Sequence, residues 1–448
     1  MSISLLEQLV ALARGQGADA AEAVLIRGTS LGVQVRQGKT EELERSEHND
    51  VGLRVFLGHP GALRSAIVSA TSADPAGFQQ LASRAIAMAR VVPEDRFSGL
   101  CEASASGATV DAAGLDLEDP AEPDVAALAE RAGRAEDAAL AVSGVANSLG
   151  ASAGFGRSEI VLVTSRGFSG RYARTSHSVS ASVLAGTGTS MQRDYDAHSV
   201  VHLQDLDDAA VIGHSAGERA VARLNPTRPK TARMPVVYDP RVSGSLLGHL
   251  SGAINGASVA RGTSFLKDRM GTRIMREGLH VTDDPRRVRG LRSRPFDGEG
   301  VITGPLVLVE DGVLASWVLD GRSARQLGLS TNGHASRGTS SPPSPSTTNL
   351  SLSPGSLSPA ALMADIAEGL YITEMMGSAV NGITGDYSRG ATGFMIRHGA
   401  LAEPVAEITV AGNLLAMLSE LTPANDLVFR RGTDAPTLRI DGMTVAGA

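Results

Sequence analysis

Apolar residues recur at helical spacing at the start of the chain. Leu5, Leu6, Leu9 and Ala13 share one face and Gly15 offers a stop, which predicts a helix over residues 1–15. Strand-like aliphatic runs follow at Val24 to Ile26, Leu31 to Val35 and Val51 to Phe56, broken by Gly28, Gly38 and His59-Pro60-Gly61. Asp74-Pro75 then supplies a capping side chain and a first-turn proline, ahead of Phe78, Leu81, Ala85 and Met88 on one helical face. These elements predict a compact N-terminal α/β unit within residues 1–100.

A linker rich in Gly, Ala and Asp gives way at Pro123 to a helix with Glu130 and Arg134 spaced for an i,i+4 pair. From Gly144 to Leu206 the pattern turns to strands, clearest where Val179, Ala181 and Val183 alternate with Ser178, Ser180 and Ser182. A helix over 207–224 closes this second, strand-rich unit at 101–225. Two prolines within Asn225 to Lys230 mark a linker. The third unit, 226–448, is predicted to be rich in antiparallel sheet. Its hairpins join Leu306–Val309 to Val313–Val318 around Asp311-Gly312, and Gly393–Arg397 to Leu401–Val410 around His398-Gly399. Helices fit from Asp239-Pro240, from Ser358-Pro359 and over Asn413 to Leu421. The Ser/Pro/Thr-rich tract from Ala335 to Pro359 is either a mobile loop or a segment lying over a site, and composition favours the loop. The fold class is therefore α+β and multi-domain.

Composition narrows the class. At 448 residues with 42% apolar side chains the chain can build two or three cores, which excludes collagen-like, disordered and disulfide-scaffold proteins. A net charge of −7, with only one Trp, five Tyr and nine Phe, disfavours nucleic acid as a partner, because neither a basic field nor a stacking surface is supplied. Carboxylates dominate 101–140, which reads as a solvated face. Cys101 is single and cannot form an internal disulfide. The first residues carry Glu7 and lack a basic n-region, so they read as an amphipathic helix and not as a signal peptide. No apolar run reaches the roughly 18 residues a membrane helix needs. The expectation is a cytoplasmic protein.

Two short motifs carry candidate chemistry. Gly213-His214-Ser215-Ala216-Gly217 fits the G-x-S-x-G elbow that exposes a nucleophilic serine, yet the same segment also fits one continuous amphipathic helix. His198-x-x-x-His202 would bind zinc from a helix face, but its surroundings alternate like a strand, where residues four apart lie roughly 13 Å from each other. No phosphate-binding glycine loop occurs, and Cys101 sits in an acidic linker that does nothing to activate a thiol.

Longer tracts point elsewhere. Residues 235–271 (PVVYDPRVSGSLLGHLSGAINGASVARGTSFLKDRMG), 333–350 (GHASRGTSSPPSPSTTNL), 385–418 (GDYSRGATGFMIRHGALAEPVAEITVAGNLLAML) and 34–58 (QVRQGKTEELERSEHNDVGLRVFLG) together resemble the TldD/PmbA family, and specifically its PmbA (TldE) branch. The resemblance implies a two-component metallopeptidase. A catalytic TldD subunit carries H-E-x-x-x-H and a distal cysteine on zinc, and pairs with a TldE subunit of the same fold. Laid on that motif, LLGHLSGA (246–253) places Gly248 at the first ligand, His249 at the base and Ala253 at the second ligand. The distal tract FRRGTDAP (429–436) has no cysteine. A lone His249 cannot supply the three protein ligands of a catalytic zinc.

The resemblance thus implies a subunit with no catalytic or metal-ligating residue of its own, with zinc on a TldD-like partner. The pair would cleave unfolded or extended peptides, in peptide-antibiotic maturation and in degradation of a small unstructured regulatory protein. Such a substrate can add a strand along an exposed sheet edge. Asn255, Arg261, His334, Ser336 and Arg337 are the candidate substrate or partner contacts, and tract 335–359 is a candidate flank of the chamber. Two alternatives stay open: a serine hydrolase acting through Ser215, and a self-sufficient homodimeric peptidase.

Overall fold

The structure is a computed structural model that describes residues 2–102, 110 and 112–447, so Asp111 of the acidic stretch lies outside the described residues. Its first half is one antiparallel sheet of six strands. In chain order the elements are α1 (Ser2–Gly15), β1 (Ala20–Arg36), β2 (Lys39–His59), β3 (Ala62–Ala70), α2 (Phe78–Val91), α3 (Val125–Leu140), β4 (Val145–Thr164), β5 (Ser169–Ala185), β6 (Gln192–Val200) and α4 (Ala209–Ala222). The strands lie in the order β3-β2-β1-β4-β5-β6, so the stretches 1–100 and 101–225 share a sheet through the long β1–β4 ladder.

Helices cover this sheet in two pairs. Leu6, Leu9 and Val10 of α1 and Phe78, Leu81 and Ile86 of α2 pack on Leu25, Leu53, Val55 and Val161. Ala135 and Ala139 of α3 and Ile212, Ala216 and Ala220 of α4 pack on Val179, Ala181 and Val183. Arg134 reaches Asp208 at the start of α4, 2.5 Å away, so the expected pairing with Glu130 gives way to a bridge between the two helices. Nor does Gly28 break its strand. β1 runs straight through it, because the missing Cβ leaves room for the imidazole of His48 directly across the ladder.

The third unit holds β7 (Ala232–Tyr238), α5 (Pro240–Ala253), α6 (Gly256–Ala260), β8 (Val281–Asp283), β9 (Leu306–Glu310), β10 (Val313–Leu314), α7 (Gly321–Leu327), β11 (Ala335–Ser336), β12 (Ser344–Pro345), β13 (Leu350–Leu352), α8 (Pro359–Met363), β14 (Glu368–Val380), β15 (Asp386–Arg397), β16 (Ala400–Asn413), α9 (Leu414–Glu420), β17 (Thr422–Pro423), β18 (Thr433–Asp434) and β19 (Leu438–Ala446). Its larger sheet runs β16-β15-β14-β7-β19-β17, and β16 also pairs with β19, so five of these strands close into a ring. A smaller sheet runs β10-β9-β8-β13-β18. Both expected hairpins turn through positive φ, at Asp311 (48°) and Gly312 (76°) and at His398 (50°) and Gly399 (81°).

The Ser/Pro/Thr tract is where composition misleads. Instead of a mobile loop it is a strap built into the third unit. β11 pairs with β12, β13 joins the smaller sheet, and Leu350 and Leu352 are core residues. Buried Asp283 fastens it, accepting from the Thr348 amide at 2.7 Å and the Thr348 hydroxyl at 2.6 Å. Asn349 adds bonds to the Asp284 carbonyl and the Ser293 hydroxyl. Polar side chains with buried partners of this kind hold as firmly as apolar ones. Among the described residues no helix is long and apolar enough to cross a membrane.

The sheet and the third unit meet at a buried ion cluster. Asp194 of β6, 2% exposed, lies 2.9 Å from Arg223 after α4 and 2.6 Å from Arg241 of α5, while Arg223 also reaches Glu374 of β14 at 2.6 Å. Removing one partner of a buried pair leaves uncompensated charge and costs about 3 kcal/mol or more. Asp194→Ala should therefore lower the urea midpoint by an amount equivalent to about 3 kcal/mol, and an unchanged midpoint would show that the cluster does not hold the two parts together.

Candidate functional site

Helix α5 is the element on which the separated tracts converge. Asp239 caps it, accepting from the Arg241 amide at 2.8 Å, and Pro240 fills the first helical turn. The hydroxyl of Tyr371 donates to the other Asp239 oxygen at 2.8 Å and fixes the cap. Leu246, Leu247, Leu250 and Ala253 are buried beneath the helix.

Tract 429–436 crosses the first half of α5. Ser243 donates to the Ala435 carbonyl at 3.0 Å, and a Cβ on Gly244 would press on the Thr433 carbonyl at 2.6 Å. The strap lies against the second half, where the Ser251 and Thr347 hydroxyls are 3.1 Å apart and Asn255 donates to the Pro345 carbonyl at 2.9 Å. Segments 90 to 192 positions further along the chain thus frame one helix.

The motif positions themselves do not form a metal site. Gly248 is exposed, with open space where a side chain would be, whereas Ala253 is buried in the core. The His249 ring stands edge-on to Tyr387, with centroids 5.8 Å apart, and its buried Nε2 has no hydrogen-bond partner among the described residues. Burial, aided by the charge of Arg389, holds its pKa below the usual histidine value. A glycine and a core methyl offer no donor atom and leave a single imidazole, too few ligands for zinc, and among the described residues no group of three or more His, Cys, Asp or Glu side chains is placed to share an ion.

Four of the five expected contact residues are internal fasteners. Asn255 caps α6, accepting from the Ala257 amide at 3.0 Å, while its amide nitrogen holds the strap. His334 is fully buried, with Nδ1 2.8 Å from the Asn332 carbonyl and Nε2 2.9 Å from Asp283. Ser336 pairs with Ser344 inside the strap. Arg337, 2% exposed, donates to Glu22 of β1 at 2.6 Å and ties the strap to the first sheet. Arg261 is exposed and lines a cavity of about 340 Å³ with Arg54, Arg325, Glu299 and Pro342 to Pro345, while Ser336 and Arg337 border a smaller one of about 90 Å³ beside Tyr172 and Phe296.

The other motifs resolve into structure. Ser215 lies in the middle of α4 and bonds to Asp196, and Gly213 is buried where a Cβ would collide with the Ala135 carbonyl of α3. The serine-elbow alternative is therefore corrected: the glycines permit close helix packing, and no strand-to-helix turn exposes the hydroxyl. His198 accepts from the Asp207 amide at 3.1 Å, and His202 bonds to the Asp116 carbonyl at 3.0 Å, so each imidazole is engaged separately.

One residue escaped the sequence altogether. Glu299, 4% exposed, borders the cavity and accepts from the Gly321 amide at 2.6 Å. Burial, reinforced by Asp297 and Asp320, pushes its carboxyl up to about 8. An unfolded glutamate titrates near 4.5 and so loses its proton first, which makes folding stability fall as pH rises from there to about 8. Glu299→Gln keeps an acceptor for Gly321 and removes this titration. The variant should lose less stability than the parent between about pH 5 and pH 8, by up to about 1.4 kcal/mol per pH unit; parallel urea-midpoint profiles for the two proteins would refute the shift.

Comparison with known proteins agrees with the long tracts. Models of the PmbA/TldA metallopeptidase match as domain 1 over 21–89, as the central domain over 118–224 and as the C-terminal domain over 231–447. Metalloprotease PmbA of Escherichia coli O157:H7 is 34% identical over 438 residues, spanning 97% of this chain and 94% of the relative. A metalloprotease PmbA homolog of Haemophilus influenzae is 32% identical over 440 residues, spanning 98% and 94%. The crystal structure of TldE from Thermococcus kodakarensis, at 19% identity, covers 99% of this chain and 100% of its own with a TM-score of 0.85, which establishes the shared fold. With matches across nearly its whole length, this chain belongs to the PmbA/TldD metallopeptidase family, in its PmbA (TldE) branch.

Proposed function

We propose that this chain is the structural and substrate-handling subunit of a TldD/TldE-type metalloprotease. A TldD-like partner carries the zinc and the catalytic base, and the pair cleaves unfolded or extended peptides, in peptide maturation and in turnover of unstructured regulatory proteins. The observation that carries this reading is the donor set on α5. The helix, the strap and tract 429–436 pack against one another while the motif positions hold Gly248, His249 and Ala253. A chain so built contributes surface and shape, and the chemistry comes from elsewhere. The names of its relatives place proteolysis in the family.

Elemental analysis of the purified chain after gentle dialysis should find near-zero zinc, with peptidase activity appearing only on mixing with a TldD-like protein. One tightly held zinc per chain, or cleavage by this chain alone, would favour the self-sufficient homodimer and overturn the proposal. Ser215→Ala should leave the activity of the mixture intact, since that hydroxyl is spent on Asp196 inside a helix; loss of turnover with the fold preserved would restore the serine reading.

A further inference from the structure

Strand β2 is twenty-one residues long, and its neighbour β3 covers it only from Val51 to His59. Residues 39–50 pair with β1 on one side, and among the described residues no strand pairs with their other side. Residues 39–48 are all exposed. This open edge is rigid. The β1–β2 turn passes through Gln37 (φ 52°) and Gly38 (φ 71°), and both amides donate to the carboxylate of buried Glu136 on α3 at 2.8 Å. On its inner side β1 is in turn laddered to β4 from Glu22 to Val35.

The edge also carries a charge pattern. Lys39 and Arg45 stand against Glu41, Glu42, Glu44, Glu47 and Asp50. Glu41 is engaged by Arg36 and Gln34, and Glu47 by Arg45. Glu42 and Glu44 have no ion-pair partner among the described residues and, two apart on a strand, share one face with about 7 Å between them. The excess of carboxylates over Lys39 and Arg45 along the edge disfavours pairing with the same edge of a second copy. It does not exclude a strand of opposite charge. Around residues 47–50 a shallow groove of about 710 Å³, lined by Arg27, Arg157, Glu47, Asp50, Thr71 and Glu159, lies over the sheet face across β2, β1 and β4.

We propose that the 39–50 edge of β2 is a docking site for an extended polypeptide segment bearing lysine or arginine at alternate positions, which adds to the first sheet as an outer strand. Main-chain hydrogen bonds to β2 supply the affinity, and cross-strand pairs with Glu42 and Glu44 select the positive charge. The site belongs to the first sheet, far in sequence from α5, and its test reads binding without any proteolysis. Its failure and that of the subunit reading are thus separable.

The probe is a fluorescently labelled peptide as long as the open edge, with lysine at every second position and valine or threonine between, titrated by anisotropy against the full chain. Saturable binding is expected, weakened at least tenfold by Glu42→Lys/Glu44→Lys, and weakened similarly when alternate peptide amides are N-methylated. A peptide with glutamate in place of lysine should not bind. Equal binding of the N-methylated peptide would reduce the contact to charge alone and overturn strand addition. Undiminished binding to the double variant would put the site elsewhere, and a self-association abolished by that variant would assign the edge to a second copy instead.

Discussion

Asp194 is a carboxylate taken almost completely out of water, and the joint between the two halves of the molecule is built around that fact. A buried anion needs compensating hydrogen bonds or charge, and Arg223 at the end of α4 and Arg241 in the first turn of α5 supply both to it. Each arginine belongs to a different half. Arg223 is further held by Glu374, Thr373 and Thr392 on strands of the ring. The position of α5 relative to the first sheet is thereby fixed by charge geometry, whereas apolar contact alone would let the surfaces slide. Arg337 and Glu22 repeat the device on the other side, joining strap to sheet.

That joint explains why so many candidate contacts turned into fasteners. A strap of Ser, Thr and Pro has little apolar surface with which to hold itself down, so its attachment falls to directed bonds. Asp283, His334 and Asn255 provide them, each spending its polar atoms internally, and Arg337 adds one ion pair to Glu22 while its buried Nε and Nη2 have no partner among the described residues. Side chains satisfied in this way are poor reporters of a ligand. What remains open to solvent near α5 is instead the bare surface over Gly248 and the cavity beside Arg261.

Much of the fold was legible along the chain because local chemistry and global structure agree. Asp239-Pro240, Ser358-Pro359 and Asn413 cap their helices as their side chains require, and Asp311-Gly312 and His398-Gly399 turn their hairpins. Legibility failed where the deciding partner is distant in sequence. Residues 39–48 gave no strand signal, since both faces are wet and alternation has nothing to mark. Gly28 read as a break because His48 could not be known to lie across from it. The order of the Ser/Pro tract depends on Asp283, 65 residues before Thr348, and the raised carboxyl of Glu299 depends on burial, reinforced by its chain neighbour Asp297 and by Asp320, which folding brings to it. The site was legible only as a resemblance; the donor poverty of α5 could be read from the motif, but not its framing by the strap and the distal tract.

Shape and chemistry are separable in this architecture, and α5 shows how. The helix is held by its Asp239 cap, by the Tyr371 hydroxyl on that cap, and by four buried side chains on its inner face. None of these calls on a metal ligand. A structural zinc site carries folding energy, so losing its ligands unfolds the domain; here ligand positions can hold glycine and alanine while the helix, the strap across it and the tract beside it stay in place. The same glycine that removes a ligand at 248 also clears space along the helix, and at 244 lets the distal tract approach to contact distance. A wall of this kind needs only to be stable and correctly shaped. That shape depends on the buried ions at Asp194 and Glu22 more than on any group on α5.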